Sequence, residues 1–350
     1  MDFGLTESQR EIARLAGQLL DEGKAGPWKE LARAGLLGLS LPPELGGDGL
    51  GVLDTAVLLT ETGRRAAPVP ALATLMTGVL PIVRWGDDGL RRALLPPAAA
   101  GEAILTAAIR EPSEPMPGNP AVTVTDGTVS GTKVGVPYCA QASHVLLPVS
   151  FAEGGTGVVI VDPAAAGATV TRTPSNNQPE YTLRLDHVPV EHVLGAAATL
   201  TDLYQLAVAG ACCLADGALS AALALTRDHV AARRQFGKPL AAFQAVAQQI
   251  ADVYIASRTL HLVTQSACWL LDAGKDAAGD LGVAGYWCAE EAPRSVRKCH
   301  HLHGGTGMDT TYPLHRFSAL IGDLVRYLGG AEYQLEQSAG LRQQEDRHVH

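Results

Sequence analysis

Two short stretches concentrate the residues able to do chemistry. Residues 233–244, RRQFGKPLAAFQ, set two arginines beside a phenylalanine and a Gly-Lys-Pro break. Arg233 follows a long apolar helical run that FGKPL ends, so its guanidinium is held next to an exposed ring. That pairing suits the pyrophosphate and the aromatic plane of a dinucleotide. Gln244, early in the next helix, offers an amide that can reach a polar edge. The second stretch is CHHLHGGTG, residues 299–307. Its glycines 304, 305 and 307 let backbone approach a phosphate or ribose closely, and free amides at such a turn favour an anion. Taken singly, each stretch has a plainer reading: Arg233 pairs with an acid, and the glycines only join two helices. Taken together they favour a dinucleotide cofactor. The run CHHLH also raises a metal, since His300 and His303 fall on similar helical faces with Cys299 near. No second Cys/His cluster closes a four-ligand set, so no metal is expected and packed or interface histidines are.

The elements that position these stretches are legible from the hydrophobic period. LTESQREIARLAGQLL opens with a Thr6-x-x-Gln9 capping box and sets Ile12, Leu15, Leu19 and Leu20 on one face. GPWKELARAGLLGLS is a short helix closed by Gly35, and VLDTAVLLTETGRR and LATLMTGVLPIVRWG are further helices. From about 103 the period changes to short β-branched runs (AILTAAI, HVLLPVS, TGVVIVD, YTLRLDHVPV) separated by Asp-Gly, Gly-Gly and Pro signals. Helical periodicity returns at 199–231, 241–272, 276–302 and 330–342. We therefore expect a helical domain over 1–108, a small antiparallel sandwich or barrel over 109–198, a helical bundle over 199–342 and a polar tail over 343–350.

Bulk properties narrow the function classes. A net charge of −9 argues against nucleic acid and anionic membranes, which need a basic face. No apolar run is expected to span a membrane, and MDFGLTESQREIARL is too polar for a signal peptide. The six cysteines lack disulfide or zinc spacing, so a cytoplasmic location is expected.

Three stretches in order carry a family resemblance: LARAGLLGLSLPPELGGDGLG at 31–51, RRQFGKPLAAFQAVAQQIAD at 233–252, and HLHGGTGMDTTYPLHR at 301–316. Over nearly its whole length the chain resembles the acyl-CoA dehydrogenases. The resemblance implies an α+β multidomain fold with an N-terminal helical domain, a middle antiparallel β-domain and a C-terminal four-helix bundle. It also implies FAD at a subunit interface. Carried onto this sequence, the FAD-contacting residues would be Arg233, Gln235, Phe236, Gln244, His301, Gly304 and Gly305, with His301 standing where the family usually has Gln.

The resemblance also exposes what is missing. Dehydrogenation of an acyl thioester needs a base for the α-proton while hydride leaves the β-carbon. The two positions where the family places its carboxylate are Leu328 and Ala207 here. Of the nearby acids, Glu332 reads as a first-turn helix residue, a weak candidate for a displaced base, and Asp323 as a solvated loop residue. In the β-domain, Gly135 and Pro137 replace the Trp and Thr that flank a flavin, removing a ring and an amide donor. This pattern resembles the base-lacking partner subunit of actinobacterial heteromeric acyl-CoA dehydrogenases. The implied partners are an acyl-CoA substrate, a second subunit carrying the base, as in a heterotetramer, and an electron-transfer partner. Two alternatives are a self-sufficient homomeric enzyme with a moved base, and a non-redox structural or binding subunit of the same fold.

Overall fold

The structure, a computed structural model, describes residues 4–21 and 26–348. The expected capping box opens α1 (Glu7–Asp21): the Thr6 amide donates to Gln9 Oε1 (3.1 Å) and the Gln9 amide to Thr6 Oγ1 (3.2 Å). The next helices are α2 (Pro27–Arg33), α3 (Val52–Arg64), α4 (Leu80–Trp85, preceded by a wider π-helical segment over Leu72–Val79) and α5 (Asp88–Ala99). Strands follow: β1 (Leu105–Ala107), β2 (Thr123–Thr125), β3 (Thr128–Pro137), β4 (His144–Phe151), β5 (Thr156–Val161), β6 (Ala168–Thr173), β7 (Glu180–Pro189) and β8 (His192–Ala196). Then come α6 (Ala197–Ala232), the two-residue strands β9 (Arg234–Gln235) and β10 (Lys238–Pro239), α7 (Gln244–Asp272), α8 (Ala278–His303), α9 (Leu314–Tyr327) and α10 (Gly330–His348). α10 thus enters the stretch expected as a polar tail, of which 349–350 lie outside the described residues.

Two compact units are distinguished, one of residues 6–58 and 68–210, the other of 4–5, 59–67 and 211 onward. The first holds an eight-stranded sheet in the order β6-β7-β3-β2-β4-β5-β8, with β1 also on β4. Strands joined by hairpins, such as β4 and β5, are antiparallel as expected. The expectation of a wholly antiparallel domain is corrected at two pairings: β1 and β2 both run parallel to β4. Neither is a sequence neighbour of β4, so no turn sets its direction. β4 and β5 are buried on both faces, which is why VLLPV and GVVIV are continuous apolar runs. Val129, Val145, Leu147, Val159, Leu183 and Val188 form the centre of this core.

In the second unit, the end of α3 meets α6 backbone to backbone. A Cβ at Gly217 would lie 1.9 Å from the Thr60 carbonyl oxygen, and one at Gly63 2.1 Å from that of Leu214, so both positions exclude a side chain. Cys213 of α6 and Cys268 of α7 approach to 3.7 Å, and the Trp287 indole of α8 donates to the Ala256 carbonyl of α7 (3.0 Å). α9, which the sequence reading leaves as a connection, buries Leu314, Phe317, Leu320, Ile321 and Leu324 along one face. All six cysteines are free thiols and buried.

The expectation that no segment could span a membrane is corrected at α6. Its 36 residues are long and apolar enough, but 83% of its most apolar window is buried within the protein, the environment of a core helix.

Candidate functional site: two exposed segments and a closed cradle

The first segment begins where α6 stops. The Arg233 amide still donates to the His229 carbonyl (2.8 Å), while its own carbonyl accepts from the Leu240 amide (2.9 Å), so the chain loops out and returns. β9 and β10 form that loop, with Lys238 opposite Gln235. Phe236 and Gly237 make its tip with φ of 53° and 81°, the paired positive values of a type I′ turn. A phenylalanine in the left-handed region is uncommon and costs on the order of 1 kcal/mol. Here it holds a ring 90% exposed. Phe243 meets that ring edge-on at 6.3 Å, and the Lys238 ammonium lies 4.2 Å over the Phe243 ring. Arg233, Gln235 and Gln244 are exposed, Gln244 as the first residue of α7. No acid pairs with Arg233 among the described residues.

The second segment begins where α8 stops. Gly304 takes φ 56° and ψ −136°, a conformation closed to L side chains, and turns the chain sharply. A Cβ at Gly304 or Gly305 would meet nothing within 4 Å, so the backbone there faces open space, and His301 is exposed beside it. The other two histidines have packed roles. His300 bonds the Gly307 carbonyl through Nδ1 (3.0 Å) and Ser318 Oγ through Nε2. His303 bonds the Cys299 carbonyl (2.8 Å) and the Tyr312 hydroxyl (3.0 Å), and its ring stacks on His229 at 4.3 Å. No group of three or more metal-ligating side chains occurs among the described residues. The His229–His303 stack joins the end of α6 to the end of α8, bringing the two segments into one neighbourhood.

The positions where a base would stand are apolar and sealed. Leu328 is fully buried at the end of α9, its carbonyl accepting from the Gln334 side-chain amide (2.7 Å), and Ala207 is fully buried in α6. Glu332 is an exposed acid in the first turn of α10. Asp323 corrects its sequence reading. It is a buried residue within α9, paired with Arg326 one turn on (2.9 Å), rather than a solvated loop residue.

The β-domain stretch is closed. Gly135 has φ 60°, and a Cβ there would lie 2.7 Å from Arg110 Nη1 and 3.6 Å from both Arg110 Cζ and Glu180 Oε2. The Val134 amide donates to the Arg110 carbonyl (3.0 Å), which sets the arginine side chain against this strand. A tryptophan at 135 would thus need a disfavoured backbone and the space that the guanidinium fills. Pro137 sits opposite Glu180 in the β3–β7 register, and its carbonyl accepts from Thr106 Oγ1 (2.7 Å).

Beneath this lies a pair that the sequence did not disclose. Lys133 Nζ donates to Glu111 Oε1 (2.7 Å), with the two side chains 0% and 2% exposed. Glu111 also accepts from the amides of Ala121 (2.7 Å) and Val122 (3.1 Å). Burial draws the Lys133 ammonium down to about 8, against the opposing pull of Glu111. Glu111 lies in the loop after β1 and Lys133 in β3, and no spacing rule links a loop residue to a strand residue 22 positions on.

The donor set of the exposed segments fits an FAD: a guanidinium for phosphate, side-chain amides, open glycine backbone and a bare aromatic ring. The β-domain stretch does not fit one, since its space is already filled. Residues 7–102 match the acyl-CoA dehydrogenase N-terminal domain family, and residues 197–339 match the acyl-CoA dehydrogenase C-terminal domain family. Acyl-CoA dehydrogenase FadE28 of Mycobacterium tuberculosis (strain ATCC 25618 / H37Rv) is 45% identical over 96% of this chain and 97% of its own length. FadE27 of the same strain is 30% identical, covering 95% of this chain and 90% of its own. Among solved structures, a variant of the Tcur3481-Tcur3483 steroid ACAD superposes with a TM-score of 0.91 at 33% identity, covering 97% of this chain and 99% of that one. The ChsE4-ChsE5 complex from Mycobacterium tuberculosis follows at 0.90 and 29%, covering 96% and 97%.

Proposed function

The chain belongs to the acyl-CoA dehydrogenase family, and from that premise we propose that it is the base-lacking subunit of a heteromeric enzyme. In this reading it contributes FAD-contacting residues to the site of a base-carrying partner, which performs the α,β-dehydrogenation of an acyl-CoA thioester. The observation that carries it is the contrast within one chain. The two segments able to hold a dinucleotide are exposed, whereas the space beside the strand that would flank its own flavin is filled by Arg110.

When bound, FAD supplies the acceptor for the hydride that leaves the β-carbon. This chain's residues bind and orient it. Arg233 would give a charge-assisted bond to the pyrophosphate, Gln235, Gln244 and His301 would satisfy polar edges, the open amides at Gly304 and Gly305 would donate to an oxygen, and Phe236 would cover an aromatic plane. The α-proton is removed by the partner, because Leu328 and Ala207 cannot accept it. The likeness to the Tcur3481-Tcur3483 steroid ACAD and to the ChsE4-ChsE5 complex supports both the heteromeric assembly and a steroid-derived acyl group. The six buried free thiols are compatible with a reducing cytoplasm. A self-sufficient homomer is the weaker reading, since Asp323 is already paired with Arg326 and Glu332 faces outward.

Flavin content decides between them. The chain purified alone should be colourless, the co-purified heteromer should carry FAD, and Arg233→Ala should lower FAD affinity in that heteromer about tenfold. Acyl-CoA oxidation by the single chain with its own bound FAD would overturn the proposal.

A further inference from the structure

We infer that His229, His303 and Tyr312 form a column of positioning residues that locks the two cofactor-facing segments into one body and lets them loosen together when its imidazoles take up protons. The consequence for FAD rests on the function proposed above; the column itself does not.

The column touches the three places where the two segments are anchored. His229 lies in the last turn of α6, and its carbonyl receives the Arg233 amide at 2.8 Å. His303 is the last residue of α8, directly before Gly304, and its ring lies 4.3 Å from that of His229 at an interplanar angle of 25°. Tyr312, in the turn before α9, closes the far side with its ring 5.2 Å from that of His303. A displacement of Arg233 or of Gly304 is therefore opposed by the same stack.

The hydrogen bonds assign the charge state. His303 Nδ1 faces the Cys299 carbonyl, which can only accept, so Nδ1 carries the proton. Nε2 then accepts from the Tyr312 hydroxyl at 3.0 Å, and the neutral ring is satisfied on both sides. A second proton on His303 would reverse the Tyr312 bond and place a cation on the face of His229. The surroundings disfavour it. His229 is held below its ordinary value by burial and by Arg233; His303 is held down by burial and by His229 and His300, against the pull of the Cys299 carbonyl. Of the other groups facing the column, the Cys299 thiol is kept neutral by burial, and the Tyr312 phenol is raised by burial and by Asp228. Asp228 pairs with Arg227 (2.8 Å), and Asp309 bonds its own turn at Thr311. Imidazoles depressed in the folded state stabilise the column fully above about pH 6.5. That contribution is lost as the pH falls below this value and through their folded-state values.

The test uses the full chain alone and the heteromer with its base-carrying partner. Hydrogen exchange of the chain, corrected for intrinsic rates, is followed in peptides spanning 230–243 and 300–313 between about pH 5 and pH 8. FAD retention by the heteromer is measured over the same range in wild type, Arg233→Ala, His303→Ala and the double variant His229→Phe/His303→Phe. The expected result is that both peptides lose protection together on acidification, that FAD affinity falls at least about fivefold, and that the Phe pair, which stacks without charging, abolishes both steps. Acid steps that persist in the Phe pair, or peptides that lose protection at different pH, overturn the column. If Arg233→Ala leaves FAD retention unchanged, the proposed cofactor role fails, and the exchange measurement still decides the column.

Discussion

At Gly135 and at Gly304 the chain uses the same residue type, with positive φ in both, to opposite ends. Around Gly135 the missing side chain makes room for the chain's own Arg110. Around Gly304 it leaves backbone facing open space. The strand stretch is further bound inward by the Lys133–Glu111 pair, whereas the loop stretch pushes Phe236 outward at the cost of backbone strain. One region has turned its polar groups on itself, and the other presents them. A glycine in a motif thus does not announce a ligand; what decides is whether the space it opens is taken up by the same chain.

The largest effect should come from the closed side. Lys133→Met seals the Glu111 carboxylate in the sheet without its cation, and chemical denaturation should show a loss of about 3–5 kcal/mol. A loss under about 1 kcal/mol would mean that the strand stretch does not depend on its inward polar bonds.

Leu328→Glu asks whether a base alone restores activity. The carboxylate would enter a fully buried position, so we expect about 3 kcal/mol of destabilisation and no acyl-CoA oxidation by the single chain. Activity gained by this substitution would show that only the base had been lost. Arg110→Ala probes the plug directly. It should cost about 1–2 kcal/mol and bring no flavin into the isolated chain, because Gly135 and Pro137 remain. Flavin uptake would reduce the closure to one side chain.

The smallest and most discriminating effect lies on the open side. Phe236→Asn relieves a disfavoured φ and should raise stability by about 0.5–1 kcal/mol while weakening FAD retention in the heteromer. Opposite signs in the denaturation midpoint and in flavin content are the signature of a residue strained for binding. Effects of the same sign would remove Phe236 from the site.

What the sequence disclosed was local. The Thr6–Gln9 box, the Gly35 stop and the loop at FGKP each depend on neighbours within a few residues, and each is present. Asp323 reads as a loop residue in isolation, whereas Leu314, Phe317, Ile321 and Leu324 keep a helical stripe across it. The parallel pairings of β1 and β2 were hidden because three residues carry no direction of their own. Nor could CHHLH reveal which histidine bonds Ser318, which stacks on His229 and which stays outside. Those roles are set by α6 and α9, which the motif does not contain.

The six cysteines, all buried and none in a disulfide, give the molecule a built-in clock. A thiol reacts with an alkylating reagent only as an exposed thiolate, so the closed chain should be almost silent to one. Each labelling event then records an opening of the segment that holds that cysteine: Cys139 for the sheet, and Cys212, Cys213, Cys268, Cys288 and Cys299 for the helices. Under weak labelling the rate follows the population of the open form, and under strong labelling it follows the opening rate itself. The lifetime of the closed state can therefore be read, helix by helix, by mass spectrometry of the unaltered chain.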